Sequence, residues 1–272
     1  MRFEDFALQH GLIIKSIVMG KWVRVPTTDH PSSRNGAYFY EGDSGAVQNW
    51  ALHTKPVPWR PSEPVSIDYK SIQERIRKHE AERKKAHAEA AKKAALIMKS
   101  AVKSRHPYLA KKGFQDELIW VWNNMAVIPM RINGSLIGCQ LIDPHGGKRF
   151  LTGQNNKGAV AVFDNKGREI LCEGYATALS VRRALRANRT RYKLIVCFSA
   201  GNMLEVAKSL PKAVVVADND PTGVSTAVST GKPYWVSDVD GEDFNDAELR
   251  LGAQSAGESL LAGLGRWIFN KD

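Results

Sequence analysis

Residues 213–223 read Ala213-Val-Val-Val-Ala-Asp218-Asn-Asp220-Pro-Thr-Gly223. An unbroken aliphatic run that closes on acids, then Pro and Gly, has the pattern of a strand buried on both faces that gives way to a turn. The surrounding sequence repeats the rhythm. Upstream, Arg168–Glu173 reads as a strand, Ala176–Ala187 as a helix with Leu179 and Leu185 on its apolar face, Lys193–Phe198 as a strand and Asn202–Leu210 as a helix. Downstream, Gly223–Thr230 reads as a short helix, Tyr234–Ser237 as a strand, and Asp246–Leu251 opens another helix. Alternating β and α with apolar strands predicts an α/β fold, a parallel sheet with helices on both faces and right-handed crossovers.

In such a sheet the functional crevice lies beyond the carboxyl ends of the strands. Acids stand at those ends: Glu173, then Asp218 and Asp220, then Asp243 and Asp246 across a short loop. Carboxylates gathered together repel one another, so a cluster of them favours a cation. Hard oxygen ligands suit Mg²⁺, which keeps waters and bridges to phosphates, and the pattern therefore suggests metal-assisted phosphoryl transfer. Asp218–Gly223 also mimics the start of a calcium loop, but the twelfth position is Ser229 rather than a bidentate Glu, which excludes that reading.

Four stretches carry a family resemblance: Glu173-Gly-Tyr-Ala-Thr-Ala, Ser199-Ala-Gly-Asn, Ala217-Asp-Asn-Asp-Pro-Thr-Gly and Gly241-Glu-Asp-Phe-Asn-Asp. Together they resemble the TOPRIM domain of topoisomerases and bacterial-type primases, in the variant found in primases of phages, plasmids and other mobile elements. Upstream, His106-Pro-Tyr-Leu-Ala-Lys-Lys-Gly, Ile128-Pro-Met-Arg and Gly138-Cys-Gln-Leu-Ile-Asp-Pro-His-Gly-Gly-Lys-Arg-Phe resemble the β-rich subdomain that precedes it there. The resemblance spans residues 105–250. It implies that Glu173, Asp218 and Asp220 are catalytic, and that Glu173, Asp218, Asp220, Asp243 and Asp246 hold Mg²⁺ or Mn²⁺. Whether Asp243 or Asp246 dominates is left open. It further implies that Arg131, Lys148 and Arg149 neutralise template or nucleotide.

The rest of the chain divides by composition. Residues 1–66 read as a small β-rich unit, with strands at Lys15–Val18, Trp22–Val25, Ala37–Tyr40 and Gly45–Trp50 and an extended exit through Pro56, Pro58, Pro61 and Pro64. Its aromatics, interleaved with Lys21, Arg24, Arg34 and Lys55, are mostly core, with one or two left exposed to stack on bases. Residues 67–105 form a long basic helical arm, Tyr69–Ser104 being free of Gly and Pro. Its first half is expected to be solvated. Residues 106–167 form a β meander with strands at Leu118–Trp122, Ala126–Arg131, Leu136–Ile142, Lys148–Leu151 and Gly158–Phe163. The TOPRIM-like segment takes residues 168–250, and 251–272 a C-terminal packing or partner-binding helix.

Charge is uneven. The net is +11, yet residues 67–113 carry +9 and residues 218–248 carry −7. A basic stretch beside an acidic patch suits a protein that holds a polyanion and a divalent ion. Cys139, Cys172 and Cys197 form no Cys-x-x-Cys pair, no apolar run reaches the roughly 20 residues of a membrane span, and Met1–His10 lacks signal-peptide order. A reduced cytoplasmic protein, in a bacterial cell or infected host, is expected, with no membrane partner. Residues 1–66 hold no cysteine, which excludes a zinc ribbon, and no Gly-x-x-x-x-Gly-Lys-Ser/Thr occurs, so any helicase is a separate protein. The expected activity is DNA-templated RNA primer synthesis from ribonucleoside triphosphates on single-stranded DNA, by nucleotidyl transfer. The alternatives are a metal-dependent nuclease of the same fold and a non-catalytic single-stranded-DNA-binding replication accessory protein.

Overall fold

The computed structural model describes residues 1–61 and 69–269, so Pro64 and the last residues of the tail lie outside it. The chain divides into two compact units, Met1–Arg77 and Lys78–Asp272.

The first unit opens with helix α1 (Phe3–Gln9), followed by strands β1 (Val23–Val25), β2 (Gly36–Tyr40), β3 (Gly45–Asn49) and β4 (Val57–Trp59). The strands form an antiparallel meander in chain order. Phe3 and Ala7, one helical turn apart, bury α1 against Val25, Tyr38, Val47 and Trp59 on one face of the sheet. Two expectations fail here. Helix α1 was not anticipated, because seven residues give too short a period to read. Lys15–Val18 is not a strand: its backbone is held by a side chain, Val18 donating to the Tyr38 hydroxyl at 2.8 Å, which itself donates to the Ser16 carbonyl at 3.1 Å. Pro58 sits in the edge strand β4, the place in a sheet that tolerates a missing N–H.

Helix α2 (Tyr69–Ser100) runs across the division between the units. It ends earlier than the sequence suggests. Val102–Ser104 instead becomes strand β5 and pairs with Val121, Trp120 and Ile119, an arrangement that suits β-branched Val102. Ala90, Ala94 and Ile97, at helical spacing, are buried, while most residues from Lys78 to Glu89 are exposed.

Next come α3 (Pro107–Lys111), β6 (Ile119–Trp122), β7 (Met125–Ile132), β8 (Ser135–Ile142) and β9 (Lys148–Phe150). Strands β5 to β9 form an antiparallel sheet in chain order. Strand alternation gives this sheet two apolar faces. Val127, Cys139 and Leu141 pack with Ala94 and Ile97 of α2. Ala126, Ile128, Met130 and Ile142 face the main core.

The remaining elements are β10 (Ala161–Asp164), β11 (Arg168–Cys172), α4 (Tyr175–Ala187), β12 (Tyr192–Val196), α5 (Ala200–Lys208), β13 (Val214–Val216), α6 (Pro221–Thr230), β14 (Tyr234–Trp235), α7 (Phe244–Leu251) and α8 (Ala253–Phe269). The sheet order is β10-β12-β11-β13-β14. The last four are mutually parallel, as expected, but β10 joins as an antiparallel edge rather than staying with the meander. Both faces are covered. Ile170, Cys172, Leu194, Val196, Val214 and Val216 face α4, α7 and α8, whereas Leu171, Ile195 and Val215 face Met203, Val206 and Ala207 of α5 and Ala227 of α6. That alternation explains why these strands are apolar on both faces through Ile170–Cys172, Leu194–Val196 and Val214–Val216, with Glu169 and Lys193 paired nearer their starts.

Helix α7, which carries the last acids, is fixed from inside. Arg183 of α4 donates to the Glu248 carboxylate, which is only 3% exposed, and to the Gly113 carbonyl at 2.9 Å, with its guanidinium over Phe114. Asn245 donates to Ser180 Oγ and the Lys112 carbonyl, each at 2.9 Å. Removing one partner of a buried ion pair strands the other's charge. Arg183→Met should therefore lower the unfolding free energy by about 3 kcal/mol, read as a shifted urea midpoint, while Arg183→Met paired with Glu248→Leu recovers much of the loss.

Candidate active site

Glu173 and Asp218 stand just beyond the carboxyl ends of β11 and β13, which are neighbours in the sheet. The chain leaves β11 into α4 on one face and β13 into α6 on the other, so the two acids flank the point where the topology reverses. That is where an open α/β sheet leaves a crevice.

Asp218 is the centre of the arrangement. It is mostly buried, and its Oδ1 has no hydrogen-bond partner. Burial pushes its carboxyl pKa up to about 6, helped by the negative charges of Asp243, Glu173 and Asp220 and opposed by Lys148. Glu173 is also raised, first by burial and then by Asp220, with Lys148 and a hydrogen bond from the Ala200 backbone at the start of α5 acting the other way. Asp220 caps α6, accepting from the Gly223 N–H at 2.7 Å. Gly223 is needed there because a Cβ would lie 2.3 Å from the Asp218 carbonyl oxygen.

Asp243 and Asp246 stand differently. They form a capping box at the start of α7, Asp243 Oδ1 accepting from the Asp246 N–H at 2.9 Å and Asp246 Oδ2 from the Asp243 N–H at 3.3 Å. Asp243 is the half-buried member whose charge acts on Asp218, with its Oδ2 3.6 Å from Lys112 Nζ. Asp246 is exposed and caps the helix. Asn219, between the paired acids, stitches the acidic loops together. Its side chain donates to the Ser237 and Val239 carbonyls at 3.1 and 2.9 Å, and its backbone exchanges hydrogen bonds with Glu242 and Gly241.

The bases divide. Lys148 of β9 faces the acids. So does Phe150, two residues on, whose ring meets Phe198 edge-on at 6.4 Å. Arg149 therefore points to the other face of the strand. Arg131 ties its own hairpin turn, donating to the Gly134 carbonyl at 2.8 Å. Sequence reasoning passed over Lys111 and Lys112, which with Tyr108, His145, Lys148 and Asp246 line a cleft of about 280 Å³ beside the acids. The Lys-Lys pair before a glycine at the end of a short helix was the available signal. Tyr108 is a neutral wall of this cleft, burial lifting its hydroxyl to about 12.

The donor set suits a hard cation: carboxylate oxygens only, one of them buried and unpartnered. Among the described residues, however, no three carboxylate, imidazole or thiol groups stand together as a closed cage. The acids share a field rather than a finished coordination sphere. Among the described residues no helix is long and apolar enough to cross a membrane.

Residues 168–254 match the family model described as Toprim domain, the segment that contains the four parallel strands β11 to β14 and all of the acids above. No curated protein sequence matches the chain. Among solved structures, one described as the DnaG catalytic core aligns at 11% identity with a TM-score of 0.39, covering 63% of this chain and 59% of that one. A DNA primase domain from Pseudomonas aeruginosa aligns at 15% identity with a TM-score of 0.37, covering 62% and 58%. The chain thus spans about three fifths of each of these structures.

A carboxyl whose pKa is raised by folding binds its proton more tightly in the native state, so stability falls as pH rises from its unfolded value towards its folded one. With Asp218 at about 6 against an ordinary 3.8, metal-free protein should lose stability between about pH 4 and pH 6 and stay low above it. Glu173 adds to the same trend. Thermal melts in chelator should show Asp218→Asn flattening this fall and stabilising the protein at pH 8, by on the order of 2 kcal/mol.

Proposed function

We propose that this chain makes RNA primers on single-stranded DNA by nucleotidyl transfer from ribonucleoside triphosphates. The observation that carries the reading is the buried, unpartnered Asp218 oxygen at the sheet's reversal point, flanked by Glu173 and Asp243 and faced by Lys148. Such a site gains by taking up a dication.

Asp218, Asp220 and Asp243 are the residues that would hold Mg²⁺ or Mn²⁺, with Glu173 beside them. When bound, such an ion lowers the cost of charge on attacking and leaving oxygens in phosphoryl transfer. The protein's own contribution is positioning and electrostatics. Asn219 and the capping box fix where the carboxylates sit. Glu173, half-buried beside the acids and with its pKa raised by burial, is placed to accept a proton from the attacking 3′-hydroxyl. Lys111, Lys112 and Lys148 offer a cationic wall on which a triphosphate is held as its pyrophosphate departs. Arg131 and Arg149, exposed on the meander, are placed to meet template phosphates away from the acids. The Toprim match over residues 168–254 supports the reading.

The test incubates the protein with single-stranded DNA, the four ribonucleotides and Mg²⁺ or Mn²⁺. New short oligoribonucleotides support primer synthesis. Shortened DNA would replace it with a nuclease, and binding without either product with an accessory protein. Asp218→Ala should cut product formation by about 100-fold or more while single-stranded DNA affinity persists. Wild-type rates in that variant would overturn the site assignment.

A further inference from the structure

We propose that the outward face of the N-terminal sheet is a stacking platform for single-stranded nucleic acid. One face of this sheet is closed by α1. On the other, the register aligns Arg24 with Ala37 and Gln48, and Phe39 with Ala46 and Pro58. Two tryptophans extend these rows at their ends. Trp22, just before β1, lies against Phe39 with ring centroids 5.9 Å apart and planes 36° apart. Trp50, just after β3, lies under the Arg24 guanidinium, 3.9 Å from its ring centroid. Trp22 is 50% and Trp50 42% exposed.

Each indole carries a large apolar surface that water solvates poorly, and a fold with a closed core gains nothing by displaying two on one sheet face. Tyr38 and Trp59 behave differently: both are buried in the core beneath the sheet. The exposed pair is thus not overflow from the core.

Charge selects the occupant. The outward positions carry a cation, an amide and rings but no carboxylate. Glu4 and Asp5 ride on α1, which covers the opposite face, and Glu41 and Asp43 lie in the turn between β2 and β3. Among the described residues Arg24 has no carboxylate partner, and its guanidinium already lies over an aromatic face. A face that offers flat π surfaces, a stacked guanidinium and the Gln48 amide, with Lys21 next to Trp22 in sequence, is matched by unpaired bases on an anionic backbone. A duplex hides its base faces and cannot use such a surface.

Binding of the full-length protein to a labelled oligothymidylate, followed by fluorescence anisotropy in chelator, tests this without the metal. The result is therefore separate from the primer-synthesis reading, which fails or survives on its own assay. Trp22→Ala with Trp50→Ala should weaken binding about 5- to 100-fold. Wild-type affinity in a double variant that keeps the wild-type circular dichroism and melting would overturn the proposal. So would equal affinity of the unaltered protein for a duplex of the same length. Should the double variant lose its fold, Arg24→Gln, which keeps both rings, is scored in the same assay. Several-fold weaker binding supports the platform, and unchanged binding overturns it.

Discussion

The constraint on which the structure turns is a charge placed where water cannot fully reach it. Asp218 ends a strand that is buried on both faces, so its carboxylate inherits part of that burial. Three further acids lie near enough to raise its pKa, and one lysine resists them. A fold selected only for stability would replace this carboxylate or pair it. Here one oxygen is left unpaired, and the neighbouring elements are arranged around it.

Those elements are held by interactions remote from the acids. The Arg183–Glu248 pair and the Asn245 hydrogen bonds lock α7 against α4 and the end of α3, which sets Asp243 and Lys112 in their places. Arg250 binds Glu242 and Asp238 and so braces the loop that leads into α7. Asn219 joins that loop to the Asp218 loop. The cationic wall comes from a different layer, α3 and β9, which shares the main core with the parallel sheet. Lysines from that layer thus stand beside the acids that follow the parallel strands, Lys148 acting on Asp218 and Lys112 on Asp243.

Much of this was legible before any coordinates. The strands of the parallel sheet close on unbroken apolar runs, and each acid follows its strand directly or across a short loop. Two-sided burial and strand-end chemistry both leave marks in a linear sequence. Other features left none. Helix α1 is shorter than the period needed to see it, and Lys15–Val18 looked like a strand although its backbone is satisfied by Tyr38. The aromatics of the first unit could not be sorted into buried and exposed until the register put Tyr38 and Trp59 on one face and Phe39 on the other. Lys148 and Arg149 looked equivalent as neighbours, but a strand sends them to opposite sides.

The sequence by itself determined the α/β alternation and the order of the acids along it, because these depend on local periodicity and residue type. Only the tertiary structure decided that β10 leaves the meander to edge the parallel sheet, that Asp243 rather than Asp246 shares the field of Asp218, and that Lys112 stands opposite. The reason is the same in each case. Strand pairing and electrostatic coupling act through space between residues far apart in the chain, and no local pattern records such a distance.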